Sequence, residues 1–189
     1  SFSAPNSFFT PNRTTASDQI LSTTGSYSLG AIPLELSFWH WINSEGNWDG
    51  GVVEISTNGG TTWTDLGTSI TQNGYNGTLG AGSALAGRSA FTGNSGSFIN
   101  TKVNLTNFAN QNAQFRFRFA SDGSVAVTGW NIDDILLSRT AKYTIKSNLF
   151  NAVGTVVNSV DTFTLILPGN PCGAGSTVSF SNQPVPAAV

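Results

Sequence analysis

Apolar and polar side chains alternate along most of this chain with a period of two, and no long segment repeats at 3.6. The pattern predicts strands at 34–42 (LELSFWHWI), 50–57 (GGVVEIST), 61–67 (TTWTDLG), 96–105 (GSFINTKVNL), 113–121 (AQFRFRFAS) and 129–139 (GWNIDDILLSR), separated by turn-forming residues. In QFRFRFA, Phe115, Phe117 and Phe119 share one face while Arg116 and Arg118 share the other, the mark of a sheet with one dry side. The arginines read as a solvated outer face, since two charges make a small patch. The fold class that follows is all-β: a jelly-roll β-sandwich with extra C-terminal strands or a hairpin.

Between residues 67 and 96 the glycine content rises and periodicity fades, which predicts a long loop crossing the sandwich, with Tyr75, Arg88 and Phe91 as its contact residues. Residues 140–167 regain alternation and fit either two added strands or an appended hairpin. From Pro168 the chain is rich in Pro, Gly and Ser and has little to contribute to a core. Pro5 and Pro11 keep the N-terminal stretch SFSAPNSFFTPN extended, so either end of the chain is suited to a sheet edge, its own or a neighbour's. This divides the chain into an extended segment at 1–19, a sandwich at 20–139, and strands with a tail at 140–189.

Charged residues make up 10% of the 189, against about 25% in ordinary soluble domains. A net charge of -2 provides no field to collect phosphates, so nucleic acid is not an expected partner. No apolar run is long enough for a membrane span. The chain has no Met and opens on SFSAPNSFF, from which secretion and removal of a leader are expected. Cys172 is the only cysteine and reads as an idle or buried thiol. Asn12, Asn76 and Asn104 each head an N-x-T triplet and are candidate glycosylation sites.

Ser56, Asn58, Gly60, Thr62 and Trp63 follow the spacing S-x-(D/N)-x-G-x-T-W. The Asn58 side chain can bond backbone amides across the turn, the glycines allow positive φ, and Trp63 can pack beneath. The stretch resembles the Asp-box hairpin, a folding motif that carries no argument for glycosidase activity, and Asn58 stands where that motif usually has Asp. A wider likeness spans about residues 20–139. WDGGVVEISTNGGTTW, a Gly-rich interval, RFRFASDGS and GWNIDDILL together resemble the secreted jelly-roll modules of the MAM-like, cleaved-adhesin and choice-of-anchor group. That resemblance implies a non-catalytic sandwich used for adhesion, assembly or glycan contact, several such modules holding a structural calcium ion. The tail from Thr140 lies outside it.

Calcium takes about six to eight oxygen ligands, and the acids weighed for it are Asp133, Asp134, Asp49 and Glu35. Asp133 and Asp134, adjacent on a predicted strand, point to opposite faces, so only one serves a site there; Asp122-Gly123 reads as a turn. Trp39, Trp41 and Trp48 crowd into ten residues. Trp39 and Trp41 share a face, either filling the core, which is the expectation for a strand bulky on both sides, or forming with Trp48 and Tyr75 a platform on which sugar rings stack. His40 is the only histidine and sits among packing residues, so a catalytic triad is not expected. The expectation is a secreted or surface-attached, non-enzymatic adhesion or self-assembly subunit that forms an oligomer or filament through edge strands or termini. The alternative is a carbohydrate-binding module beside a secreted hydrolase or protease.

Overall fold

The computed structural model describes residues 1–31, 34–150 and 156–167, those beyond Ser138 by their backbone pairing. Cys172 and the tail from Pro168 lie outside the described residues. Two antiparallel sheets pack face to face. The first runs in the order β1 (Phe8–Pro11), β12 (Gly129–Phe150), β4 (Leu34–Asn43), β10 (Ile99–Asn104) and β7 (Ile70–Gln72), with β13 (Val156–Leu167) also on β12. The second runs β2 (Ser17–Ser22), β11 (Asn112–Ser121), β5 (Gly50–Ser56), β9 (Ser89–Thr92) and β8 (Gly77–Thr78), with β3 (Tyr27–Ser28) on β11 and β6 (Thr64–Asp65) on β5. The all-β sandwich is thus the fold.

Alternation decides what is inside. Along β4 every second residue is buried: Leu34, Leu36, Phe38, His40 and Ile42 face the core, while Glu35, Ser37, Trp39, Trp41 and Asn43 face outward. The phenylalanines of β11 face them from the second sheet, with Phe38 edge-on to Phe117 at 4.9 Å. Each such fully buried large side chain contributes about 1.5–3 kcal/mol. Trp130 on β12 occupies the centre, within 6.4 Å of the rings of His40, Phe91, Phe117 and Phe119. Gly51 lies against it, and a Cβ at that position would collide with the indole ring. Steric room for Trp130, rather than turn geometry, therefore fixes glycine there.

Several expectations need correction. Trp39 and Trp41 are not core residues, because the parity of β4 gives the inner face to Phe38 and His40. The stretch 67–96 is no structureless crossing: it carries a turn of 3-10 helix at Gly67–Ser69 and the strands β7, β8 and β9. Phe91 is 2% exposed in the core. β12 runs without a break across residue 139, and β1 joins the first sheet, pairing Phe8 with Ile132 and Pro11 with Gly129. Between Asp133 and Leu136 the β12–β4 register shifts, and Asp134 has φ 44°, so the two aspartates sit in a β-bulge rather than on alternating faces of a regular strand.

His40 is wholly buried, accepting from Trp130 Nε1–H at Nδ1 (3.1 Å) and facing Thr101 Oγ1 through Nε2 (2.9 Å). Since Nδ1 accepts, Nε2 holds the proton and donates to Thr101, whose hydroxyl donates to the Asn73 carbonyl (2.9 Å). Burial pushes the imidazole pKa down to about 3. A lowered histidine pKa means the unfolded chain takes up a proton that the folded one refuses, so stability falls as pH drops from about 6.5 towards 3. Urea midpoints measured between pH 7 and 4.5, above the range where carboxylates dominate, are expected to decline in the parent. They should stay flat in His40→Gln, whose amide can accept from Trp130 and donate to Thr101 without titrating.

Candidate functional site

The β4–β5 loop is built to present acids inward. Asn47 takes a left-handed φ of 64°, and Trp48 and Asp49 N–H groups both donate to the Glu45 carbonyl (3.2 and 3.0 Å), a tight turn closed by short polar side chains. Ser44 Oγ and Thr92 Oγ1 donate to the Asp49 carbonyl at 2.9 and 2.7 Å, tying the loop to β9. The result brings Glu45, wholly buried Asp49 and Asp122 together, with one ligand oxygen from each within 4.8 Å of the others. Asp122 follows directly on β11, where its N–H donates to Asp49 Oδ1 (2.8 Å), and Ser124 Oγ donates to Glu45 Oε2 (3.1 Å) and Asp122 Oδ1 (3.0 Å).

Two buried groups in this cluster lack partners. Asp49 Oδ2 accepts no hydrogen bond among the described residues, and neither amide atom of Asn12, just past β1 and 7% exposed, makes one of good geometry. Burial pushes the Asp49 carboxyl above its ordinary value; the Asp122 N–H and the nearby Asn12 amide pull against this, while the charges of Asp122 and Glu45 add to it. An unsatisfied buried carboxylate oxygen costs free energy unless something meets it. The three carboxylates form an all-oxygen set, suited to a hard cation. The cluster could hold a metal ion.

The acids expected for that role are mostly elsewhere. Only Asp49 belongs to the cluster, Asp122 having been read as a turn. Glu35 faces outward opposite Lys102 (3.4 Å). Burial works to raise the Asp133 carboxyl, but the N–H groups of Asp134, Ser3 and Phe2 outweigh it and hold it below the ordinary range. Its Oδ2 accepts from Phe2 N (2.8 Å) and Ser3 N (3.1 Å), and Asp134 Oδ1 accepts from Ser3 Oγ (2.7 Å), so both aspartates anchor the N-terminal segment. The buried Asn12 is also no glycan acceptor in the folded chain. Asn76 and Asn104 are exposed, the former bonded in both directions to the Thr92 backbone.

The aromatic candidates divide as well. Phe2 stacks on Trp39 with ring centroids 3.8 Å apart and planes 8° from parallel, with Phe98 next to Phe2 at 6.1 Å. Trp41 shares that outer face, which Asn100 and Asn131 flank with amides across the β4 pairing. Trp48 is on the β4–β5 loop, 43% exposed, its ring against Gly80. Tyr75 is turned inward, its hydroxyl accepting from Val53 N (2.9 Å) and donating to Asp65 Oδ1 (2.9 Å), with burial raising its pKa. Arg88 is likewise committed, bridging Glu54 (2.7 Å) and Asp65 (2.6 Å), while Arg116 also grips Glu54 and lies over the Trp63 ring at 4.3 Å.

The Asn58 hairpin forms as its spacing predicts. Thr62 N donates to Asn58 Oδ1 (2.9 Å), Gly60 N to Ser56 Oγ (2.9 Å) and Trp63 Nε1 to the Gly60 carbonyl (3.0 Å), with Gly59 and Gly60 at φ 72° and 86°.

No family model matches the chain. It is similar to Bacillopeptidase F of Bacillus subtilis (strain 168), 27% identical over 155 residues, a match that takes 73% of this chain and 9% of that protein. The chain therefore spans a small part of the curated relative it matches.

Without a bound cation, Asp49 is a buried charge beside two others. Replacing it with Asn in chelator-treated protein is expected to leave the melting temperature unchanged or raise it by a few degrees, about 0.5–1 kcal/mol, because repulsion is removed while the bond from Asp122 N–H survives. Calorimetry in excess chelator checks this, and a large fall would mean that the carboxylate is satisfied within the protein.

Proposed function

We propose that this chain is a non-catalytic module that works outside the cell by contact, as an adhesion or self-assembly unit whose loops are fastened by a calcium ion. The observation that carries the reading is the unmet Asp49 Oδ2 at the centre of the Glu45–Asp49–Asp122 cluster. Asn12 would join these three as ligands. They come from three separate places, the β4–β5 loop, the end of β11 and the end of β1, so a cation there supplies cross-linking and charge neutralisation rather than chemistry. The other titratable groups described above support a structural role: His40 is held neutral in the core, and Glu54, Asp65 and Asp133 are each bonded within the fold. The secreted jelly-roll resemblance points the same way.

Calcium in millimolar excess should raise the melting temperature of the parent by roughly 2–8 °C, an amount expected from about 1–2 kcal/mol of linkage in a chain of this length. Asp49→Asn should lose this response and Asn12→Ala should weaken it. A melting curve indifferent to calcium and chelator in the parent would remove the ion from the reading. Because the ligands must be deprotonated and Asp49 titrates above the usual carboxylate range, the calcium effect should fade as pH is lowered, sooner than for ordinary aspartates.

The match to a protein named as a peptidase supports a second reading, in which the module accompanies a hydrolase and binds carbohydrate on the outward Trp39 and Trp41. Here Phe2 occupies the Trp39 face that a sugar ring would need. Under this reading Phe2→Ala strengthens retention on insoluble polysaccharide and Trp39→Ala abolishes it. Equal elution of both variants with the parent would discard it.

A further inference from the structure

Residues 1–16 are fastened to the sandwich at two places. At the near end the Phe2 ring covers Trp39, and the hydrogen bonds converge on the β12 bulge: Phe2 and Ser3 N–H both donate to Asp133 Oδ2, and Ser3 Oγ donates to Asp134 Oδ1. At the far end, residues 10–16 clasp the loop that leaves β11 at Asp122 and enters β12 at Gly129. Asn12 N donates to the Thr128 carbonyl (3.3 Å) and Ser121 Oγ to the Thr15 carbonyl (3.1 Å). Two glycines make room for the clasp. A Cβ at Gly129 would collide with the backbone of Thr10 and Asn12, and one at Gly123 with that of Thr15 and Ala16.

Between these fastenings little holds the segment. Residues 1–7 belong to no strand, and β1 is a four-residue strand at the edge of its sheet, paired with β12. Pro11 brings no N–H to that ladder, and Phe8 and Phe9 are more than half exposed. A segment with so few buried contacts opens ahead of the rest of a fold. Opening here uncovers the Trp39 ring.

The clasped loop is also the one that builds the acid cluster. It supplies Asp122, and its Ser124 bonds both Glu45 and Asp122. Asn12, inside the clasp, has its buried amide beside Asp49. The far fastening and the cluster therefore share their parts. The near one stands apart: Trp39 is four positions short of the end of β4, roughly 14 Å along the strand, and the cluster lies beyond that end.

We propose that residues 1–12 are a strap over the Trp39 face, and that a cation in the Glu45–Asp49–Asp122 cluster sets how firmly the strap is closed. While the three carboxylates are not neutralised, their repulsion pushes the Asp122 loop from Glu45 and loosens the clasp. A divalent cation turns that repulsion into attraction, draws the loop in and fixes the far end of the strap. With that end fixed, the near end stays confined close to Trp39 and reseats more readily. Linkage makes the coupling mutual, so closure of the strap strengthens cation binding by the factor with which the cation strengthens closure. The inference rests on the calcium-fastened reading and adds regulation to the tryptophan face considered for carbohydrate: calcium covers that face and its withdrawal bares it.

The test uses the full chain, well below its melting transition. Hydrogen exchange of peptides within residues 1–12 is followed in calcium and in excess chelator, and calcium affinity is measured by titration calorimetry. Calcium should slow exchange in this segment about five-fold or more in the parent and leave it unchanged in Asp49→Asn. Phe2 and Asp133 are bonded to no member of the cluster. Asp133→Asn keeps an oxygen to accept from Asp134 N–H while losing the one that holds Phe2 and Ser3. Phe2→Ala and Asp133→Asn should each nevertheless weaken calcium binding by a comparable factor, about five-fold. A merely local loss of packing does not produce that effect in a chain that stays folded. Exchange indifferent to calcium in a parent that binds it, or either variant binding calcium as the parent does, would overturn the strap and leave the calcium-fastened reading standing. A parent that binds no calcium would remove both.

Discussion

The packing of Trp130 across the gap between the sheets is the constraint on which the rest of this molecule depends. The indole needs a strand with no side chain beneath it, which Gly51 provides, and a polar partner for its N–H, which His40 provides. His40 in turn needs Thr101, and Thr101 bonds to Asn73 at the end of β7, so one aromatic ring ties the centre of both sheets to the loop beyond. A buried indole N–H left unpaired would cost about 1–3 kcal/mol, which explains a histidine in an otherwise apolar position. The lone imidazole has been spent on architecture.

How much of this could be read from residues alone depended on the range of the interaction. The positions of β4, β5, β10, β11 and the start of β12, and the dry face of Phe115, Phe117 and Phe119, followed from alternation, and the Asn58 turn from local hydrogen-bond spacing; the strand expected over TTWTDLG is only the two-residue β6. Which face of LELSFWHWI is inner did not, because both parities of that strand are bulky; only the facing sheet chooses Phe38 and His40 over Trp39 and Trp41. The acidic cluster was legible only through Asp49. Its other members, Glu45, Asp122 and Asn12, lie up to 110 positions apart and are brought together by loops, leaving no spacing to detect. Tyr75 and Arg88 looked like exposed loop residues because their glycine-rich surroundings hid the short strands that turn them inward.

The N-terminal segment connects regions that otherwise have little in common. Phe2 covers Trp39, the N–H groups of Phe2 and Ser3 engage Asp133, β1 lengthens the first sheet, and Asn12 reaches the acid cluster. A cation held partly by Asn12 would thus also hold the segment that shields the tryptophan face. The outer aromatic surface and the acid cluster are coupled through one short piece of chain rather than through the core.

The bulge at Asp133–Leu136 has a reach beyond its own turn. Before it, even-numbered residues of β12, Trp130 and Ile132, enter the core; after it, odd-numbered Leu137 does. That single inserted residue acts as a geometric frameshift: because of it Leu137, rather than Leu136, turns toward Leu36 and the core. Excising one residue at the kink would turn Leu137 outward and set Ser138 against Leu36 in its place, exchanging an apolar core contact for a hydroxyl.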